Sequence, residues 1–101
     1  METMPYLSIS SSANLVVLED GAVRSYPLNE NQIWKIGRKN PESENDIELE
    51  SKIVSRKHGQ IQSVDGEWYY IENGSLNGTY YNGSKIKAND HGEFDAVKLS
   101  N

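Results

Sequence analysis

Apolar positions along this chain come in short bursts and never settle into a helical rhythm. No window of about 11 residues or more keeps a 3.6-residue apolar period. The bursts predict strands over 15–18, 22–28, 33–36, 46–49, 57–64, 67–72, 79–81, 85–86 and 96–99. Turn dipeptides fall between them: Asp20-Gly21, Asp65-Gly66, Asn73-Gly74, Asn77-Gly78 and Asn82-Gly83. Asn-Gly and Asp-Gly readily adopt the positive φ angles of tight hairpins. Many short strands at this spacing predict an all-β sandwich or barrel.

The clearest unit is a hairpin over 57–72 turning at Asp65-Gly66. Alternation puts His58, Gln60 and Gln62 on one face and Gly59, Ile61 and Ser63 on the other. Its second arm carries Trp68, Tyr69 and Tyr70, which suit a packed β surface. Segment 39–46 is polar, acidic and contains Pro41, as a connecting loop does. Residues 1–13 form an N-terminal extension before a single domain at 14–101. Within that extension 6–10 alternates weakly, and two readings stand side by side, an edge strand or an irregular lead-in.

Composition narrows the function. The chain of 101 residues fits one domain and contains no cysteine, so neither disulfides nor thiolate-bound zinc carry the fold. The longest aliphatic run, Leu15-Val16-Val17-Leu18, is too short for a membrane span or a secretory signal, and a cytoplasmic setting is expected. The formal net charge of -5 argues against nucleic acid as a partner. It does not exclude a local anion site, because charge is screened over roughly 8 Å at physiological salt.

Three segments then stand out: Ile36-Gly37-Arg38, Ser55-Arg56-Lys57-His58, and Ser75-Leu76-Asn77-Gly78-Thr79 followed by Asn82-Gly83. Each alone is commonplace. In this order and spacing they resemble the forkhead-associated (FHA) domain family, whose pattern is Gly-Arg, then Ser-Arg-x-His, then Ser-x-Asn-Gly-Thr-x-x-Asn-Gly. The resemblance runs from about Leu15 to Leu99. It implies a β-sandwich of two sheets with ligand loops at one end, and a phosphothreonine-containing protein or peptide as partner. It implies no cofactor, no metal and no catalysis.

The residue chemistry suits that ligand. A phosphate monoester carries about -1.5 to -2 charges and three acceptor oxygens. Arg38 offers a permanently charged donor fork, Ser55 a hydroxyl, Arg56 a second cation, and Asn77 an amide able to grip extended main chain. By resemblance Arg38 and Ser55 contact phosphate, Arg56 assists, and Asn77 holds the ligand backbone beside Leu76. Gly37, His58, Gly78, Thr79 and Asn82 take supporting roles, with His58 bracing two loops. Ile53 and Val54 are expected at an apolar subsite. Glu42, Glu44 and Asp46 are expected to repel acidic ligands.

Two departures from the family pattern matter. Leu76 stands where many members have threonine, which removes one hydroxyl donor; a hydrogen bond to a charged group contributes about 1.5–3 kcal/mol. The closing strand of the family is not visible after Leu99. Segment 6–10 is expected to fill part of the vacant edge, within one monomer or in a weak dimer. Blander readings compete. Ser55 and His58 suggest a nucleophile and base, but on one strand they would face opposite sides. His58 and His91 lack ligand spacing for a metal. The acidic residues read as solvated surface. A phosphate-independent scaffold of the same fold is the alternative function.

Overall fold

The computed structural model describes residues 4–99. Residues 1–3 of the expected extension and 100–101 of the expected domain lie outside the described residues. The strands, in chain order, are β1 (Tyr6–Ile9), β2 (Asn14–Glu19), β3 (Ala22–Pro27), β4 (Trp34–Arg38), β5 (Ile47–Leu49), β6 (Gly59–Val64), β7 (Glu67–Glu72), β8 (Tyr80–Tyr81), β9 (Ser84–Lys85) and β10 (Val97–Lys98). A three-stranded sheet has the order β1-β2-β3, a five-stranded sheet the order β10-β7-β6-β4-β5, and β8-β9 make a separate ribbon. Every pairing is antiparallel except β4 with β5.

Period-two alternation explains the layering. Leu15 and Val17 of β2 and Ile9 of β1 face inward from the smaller sheet. Ile36, Ile47, Leu49, Ile61, Trp68 and Tyr70 meet them from the larger one, and Val54 joins from a loop. Leu15, Val17 and Ile47 are essentially sealed from solvent, each contributing about 1.5–3 kcal/mol by burial. The molecule is thus the all-β, two-sheet sandwich that the strand pattern and the resemblance predict.

The β6–β7 hairpin turns at Asp65 and Gly66, with φ of 53° and 79°, and pairs Gly59 with Glu72 through Val64 with Glu67. Segment 6–9 is an edge strand, register Tyr6 with Leu18 to Ile9 with Leu15. On the outer face of that sheet Tyr6, Leu18 and Val23 align across the strands, and all three are exposed. No helix among the described residues is long and apolar enough to cross a membrane.

Three expectations change. Strand β6 begins at Gly59, so Lys57 and His58 lie in the turn that precedes it. The opposite-face argument for Ser55 and His58 therefore does not apply; the turn brings the ring back toward Ser55. Val54 is a core residue at 5% exposure and lines no subsite. The acidic residues are not uniformly solvated, because Glu19 and Glu72 are buried at the inward-facing ends of β2 and β7.

Candidate functional site

The site begins where β4 ends. Gly37 lies against the loop before β6, and a Cβ at Gly37 would fall 1.9 Å from the Arg56 carbonyl oxygen. Only glycine permits that approach, and it brings Arg38 beside Ser55: the Arg38 N–H donates to the Ser55 carbonyl at 3.0 Å. The Arg38 guanidinium donates through Nη1 to the Lys52 carbonyl at 3.2 Å. Among the described residues no carboxylate pairs with it.

The loop after β7 closes on the same place. The Leu76 N–H donates to Ser55 Oγ at 2.9 Å. That bond occupies a lone pair of the hydroxyl and leaves its hydrogen available to an acceptor from outside. It is a backbone bond, so leucine in place of threonine does not disturb it. The Leu76 side chain is 89% exposed, beside the site. Asn77 Nδ2 donates to the Ile53 carbonyl at 2.9 Å, one residue from the carbonyl that holds Arg38. Arg38, Ser55, Leu76 and Asn77 thus converge on one rim.

Arg56 and Lys57 are exposed and line a polar groove beside this rim, with Lys35, Asn45 and Asn73. Asn45 Nδ2 donates to the Arg56 carbonyl at 2.7 Å and fixes the 39–46 loop against it. Asp46 is exposed and held by its neighbours: its carboxylate accepts the Lys35 N–H at 2.9 Å and the Gln32 amide at 3.3 Å.

Beneath the rim His58 joins the two loops. Its Nδ1 accepts the Ser55 N–H at 3.0 Å, and its Nε2 lies 2.7 Å from Thr79 Oγ1. Accepting at Nδ1 requires a neutral ring there. Burial lowers the His58 pKa below its ordinary value, outweighing the nearby Glu72 charge and a Gly78 backbone hydrogen bond, both of which raise it. Gly78, at φ 79°, shapes the turn into Thr79. Asn82 is not brought to this cluster. With Gly83 it makes the exposed β8–β9 turn, φ 49° and 83°, and among the described residues no hydrogen bond ties it to the 75–79 loop.

Two residues of this substructure were invisible as site residues in the sequence. Glu72 is 5% exposed and accepts from Tyr70 Oη at 2.9 Å, Thr79 Oγ1 at 2.8 Å, and the N–H and hydroxyl of Ser75 at 3.0 and 2.5 Å. Burial alone would raise its pKa; the donors from Ser75, Thr79 and Tyr70 outweigh that and hold it below the ordinary value. Tyr70 is the other, its hydroxyl admitted because Gly59 has no side chain there: a Cβ on Gly59 would sit 2.2 Å from it. Burial, with Glu72 beside it, pushes the Tyr70 pKa up despite an opposing hydrogen bond to Thr79, so the hydroxyl keeps its proton. The available signal was phase: Glu72 continues the inward series Trp68, Tyr70.

Comparison with known proteins agrees with the fold. The FHA domain family profile matches residues 34–99. Glycogen accumulation regulator GarA of Mycolicibacterium smegmatis is 34% identical over 90 residues, which cover 89% of this chain and 55% of GarA. The ABC transporter ATP-binding/permease protein Rv1747 of Mycobacterium tuberculosis is 26% identical over 98 residues, covering 97% of this chain and 11% of that protein. The crystal structure of Mycobacterium tuberculosis Rv1747 FHA-1 superposes with a TM-score of 0.57 at 25% identity, over 87% of this chain and 76% of that one. The chain therefore spans about half of GarA and a small part of the transporter.

Proposed function

This chain belongs to the FHA domain family, and on that premise we propose that it is a phosphothreonine-dependent peptide-binding module acting in signalling or assembly. Arg38 supplies the charge for the phosphate and Ser55 the hydroxyl donor. Arg56 assists from the groove, Leu76 flanks the ligand, and Asn77 takes the ligand main chain. Gly37, His58, Gly78 and Thr79 hold these groups in place, and Asn82 contributes only through its turn. The partner is another protein or a peptide; nothing in the reading calls for a cofactor, a metal or a chemical step. The domain runs over 14–101, with 1–13 an extension whose strand β1 covers an edge of β2, in a cytoplasmic protein.

One observation carries the reading. The Ser55 hydroxyl is held by the Leu76 N–H from one loop while the Ser55 carbonyl is held by the Arg38 N–H from another. A hydroxyl so fixed, with a guanidinium unpaired by carboxylate at the neighbouring position, is organised for an incoming dianion. Threonine should be preferred to serine by the value of one buried methyl, about 0.8 kcal/mol by area and up to roughly 3 kcal/mol in a shaped niche.

A second reading, a phosphate-independent scaffold, is favoured by the exposed row Tyr6, Leu18 and Val23 beside the open edge of β1, a surface suited to constitutive contact or weak dimerisation. Calorimetric titration with phosphothreonine, phosphoserine and unmodified versions of one peptide separates the two. Binding that follows the phosphate, tightest for threonine, is expected; equal affinity for all three peptides would leave the scaffold.

A further inference from the structure

The hydrogen bonds that run from Glu72 through Thr79 to His58 are coupled in direction. Ionised Glu72 has no proton and can only accept. Thr79 has one hydroxyl hydrogen, and at 2.8 Å from Glu72 Oε1 that hydrogen goes to the carboxylate. The Thr79 oxygen then has only lone pairs to offer His58 Nε2, 2.7 Å away, so Nε2 must carry the ring hydrogen. A neutral imidazole protonated at Nε2 is bare at Nδ1, and Nδ1 is where the Ser55 N–H donates. No cation satisfies Glu72; all its hydrogen-bond donors are hydroxyls and one backbone N–H from Tyr70, Ser75 and Thr79.

We propose that Glu72 is the positioning residue of the ligand site, its charge fixing through Thr79 the Nε2–H tautomer of His58 and thereby the acceptor that holds the Ser55 loop. The consequence for affinity rests on the phosphothreonine reading; the consequence for the tautomer does not.

Glu72→Gln shows why the charge matters and not only the shape. Glutamine offers one carbonyl and one NH₂ group in place of two acceptors. The Ser75 N–H is fixed in the backbone and takes the carbonyl. The NH₂ group then faces Thr79 and Tyr70 and donates to Thr79. Thr79 then has two acceptors in reach, His58 Nε2 at 2.7 Å and Tyr70 Oη at 3.2 Å, and the nearer takes its hydrogen; the ring proton moves to Nδ1, and two donors oppose each other at the Ser55 N–H. The site loses the hydrogen bond that ties Ser55 to His58.

The test is long-range proton–nitrogen NMR of the His58 ring at pH 7.5, in the whole chain, for the parent, Glu72→Gln and Glu72→Asp. We expect a bare Nδ1 in the parent and in the aspartate variant, and a protonated Nδ1 in the glutamine variant. A folded Glu72→Gln protein that keeps the Nε2–H tautomer overturns the proposal. Affinity for a phosphothreonine peptide should fall roughly tenfold in Glu72→Gln, the value of one hydrogen bond, and recover in Glu72→Asp. Unchanged affinity alongside a reversed tautomer also overturns it. If the parent binds no phosphopeptide, the functional reading fails while the tautomer still decides this one. Should Glu72→Gln not fold, Thr79→Val cuts the same relay, and a His58 that stays wholly in the Nε2–H form there overturns the proposal.

Discussion

Two buried carboxylates occupy equivalent places in this sandwich and do different things. Glu19 ends β2 and Glu72 ends β7, each at the last inward position of its strand, 7% and 5% exposed. Each accepts backbone N–H groups of a loop: Glu19 takes those of Glu50 and Ser51 at 3.0–3.1 Å, and Glu72 takes that of Ser75. Glu19 also has a cation, with Arg24 Nη2 at 3.1 Å and the same guanidinium reaching the Glu48 carbonyl. Glu72 has hydroxyls instead, from Tyr70, Ser75 and Thr79. A carboxylate satisfied by a fixed cation is a tie between sheets. A carboxylate satisfied by hydroxyls passes its polarity on, because a hydroxyl that donates on one side accepts on the other.

If that contrast holds, the largest loss of stability should come from the Glu19 corner and the largest loss of binding from the rim above Glu72. Glu19→Gln keeps one oxygen for the two backbone N–H groups and sets an amide donor against the Arg24 guanidinium. We expect about 2–3 kcal/mol less stability in urea unfolding, the ion pair counted modestly because Arg24 is partly exposed. The preference for phosphothreonine over phosphoserine should survive unchanged; a lost preference would mean the two corners are not independent. Arg38→Ala is the mirror case: roughly 2–4 kcal/mol in phosphopeptide affinity with the unfolding curve in place, since among the described residues the side chain makes one hydrogen bond, to the Lys52 carbonyl. Equal affinity in that variant counts against Arg38 as the phosphate ligand.

How much of this contrast was legible beforehand depends on the range of the signal. The β6–β7 hairpin was visible because its information is local: alternation, aromatic residues and Asp65-Gly66 all lie within one segment. Arg38, Ser55 and Asn77 were visible through the family pattern, and the fold does bring their loops to one rim. Lys57 and His58 were read as part of the strand because Ser-Arg-Lys-His has no turn dipeptide; their turn is enforced from outside, by the Asn45 amide on the Arg56 carbonyl and by the Gly37 backbone packed against it. Glu19 and Glu72 were read as surface because charge is normally solvated. Their positions become sensible only when loops distant in sequence deliver N–H and hydroxyl donors, and no local pattern encodes that delivery.

A smaller effect comes from acid. His58 is titrated less readily in the folded chain than its ordinary value of 6.5, with burial as the main cause. Below pH 6.5 the unfolded chain takes up the proton first, so stability is whole above 6.5 and falls as the pH drops toward the folded titration point. One proton limits the slope to about 1.4 kcal/mol per pH unit. The titratable group acting on the ring is Glu72 of β7. Glu72, depressed below 4.5, adds a separate loss only in more acid solution. Urea midpoints between pH 5 and 7.5 for the parent and His58→Gln check this: the parent should lose stability across that window and the variant much less. Parallel curves would mean that His58 does not titrate differently on folding.

The finest distinction lies within the Glu72 corner, between the methyl and the hydroxyl of Thr79. Thr79→Ser keeps the oxygen that links Glu72 to His58 and removes one methyl from a partly buried site, so stability should fall by no more than about 0.8 kcal/mol with phosphopeptide affinity nearly unchanged. Thr79→Val keeps the shape and removes the link, taking from His58 Nε2 the oxygen it faces and leaving Glu72 short of one donor. That variant should lose about 1–3 kcal/mol and bind more weakly, even though it is the closer match in volume. Paired melting curves and titrations of the two variants decide between packing and polarity. If valine is tolerated better than serine, the corner is held by shape, and Glu72 is a tie of the same kind as Glu19.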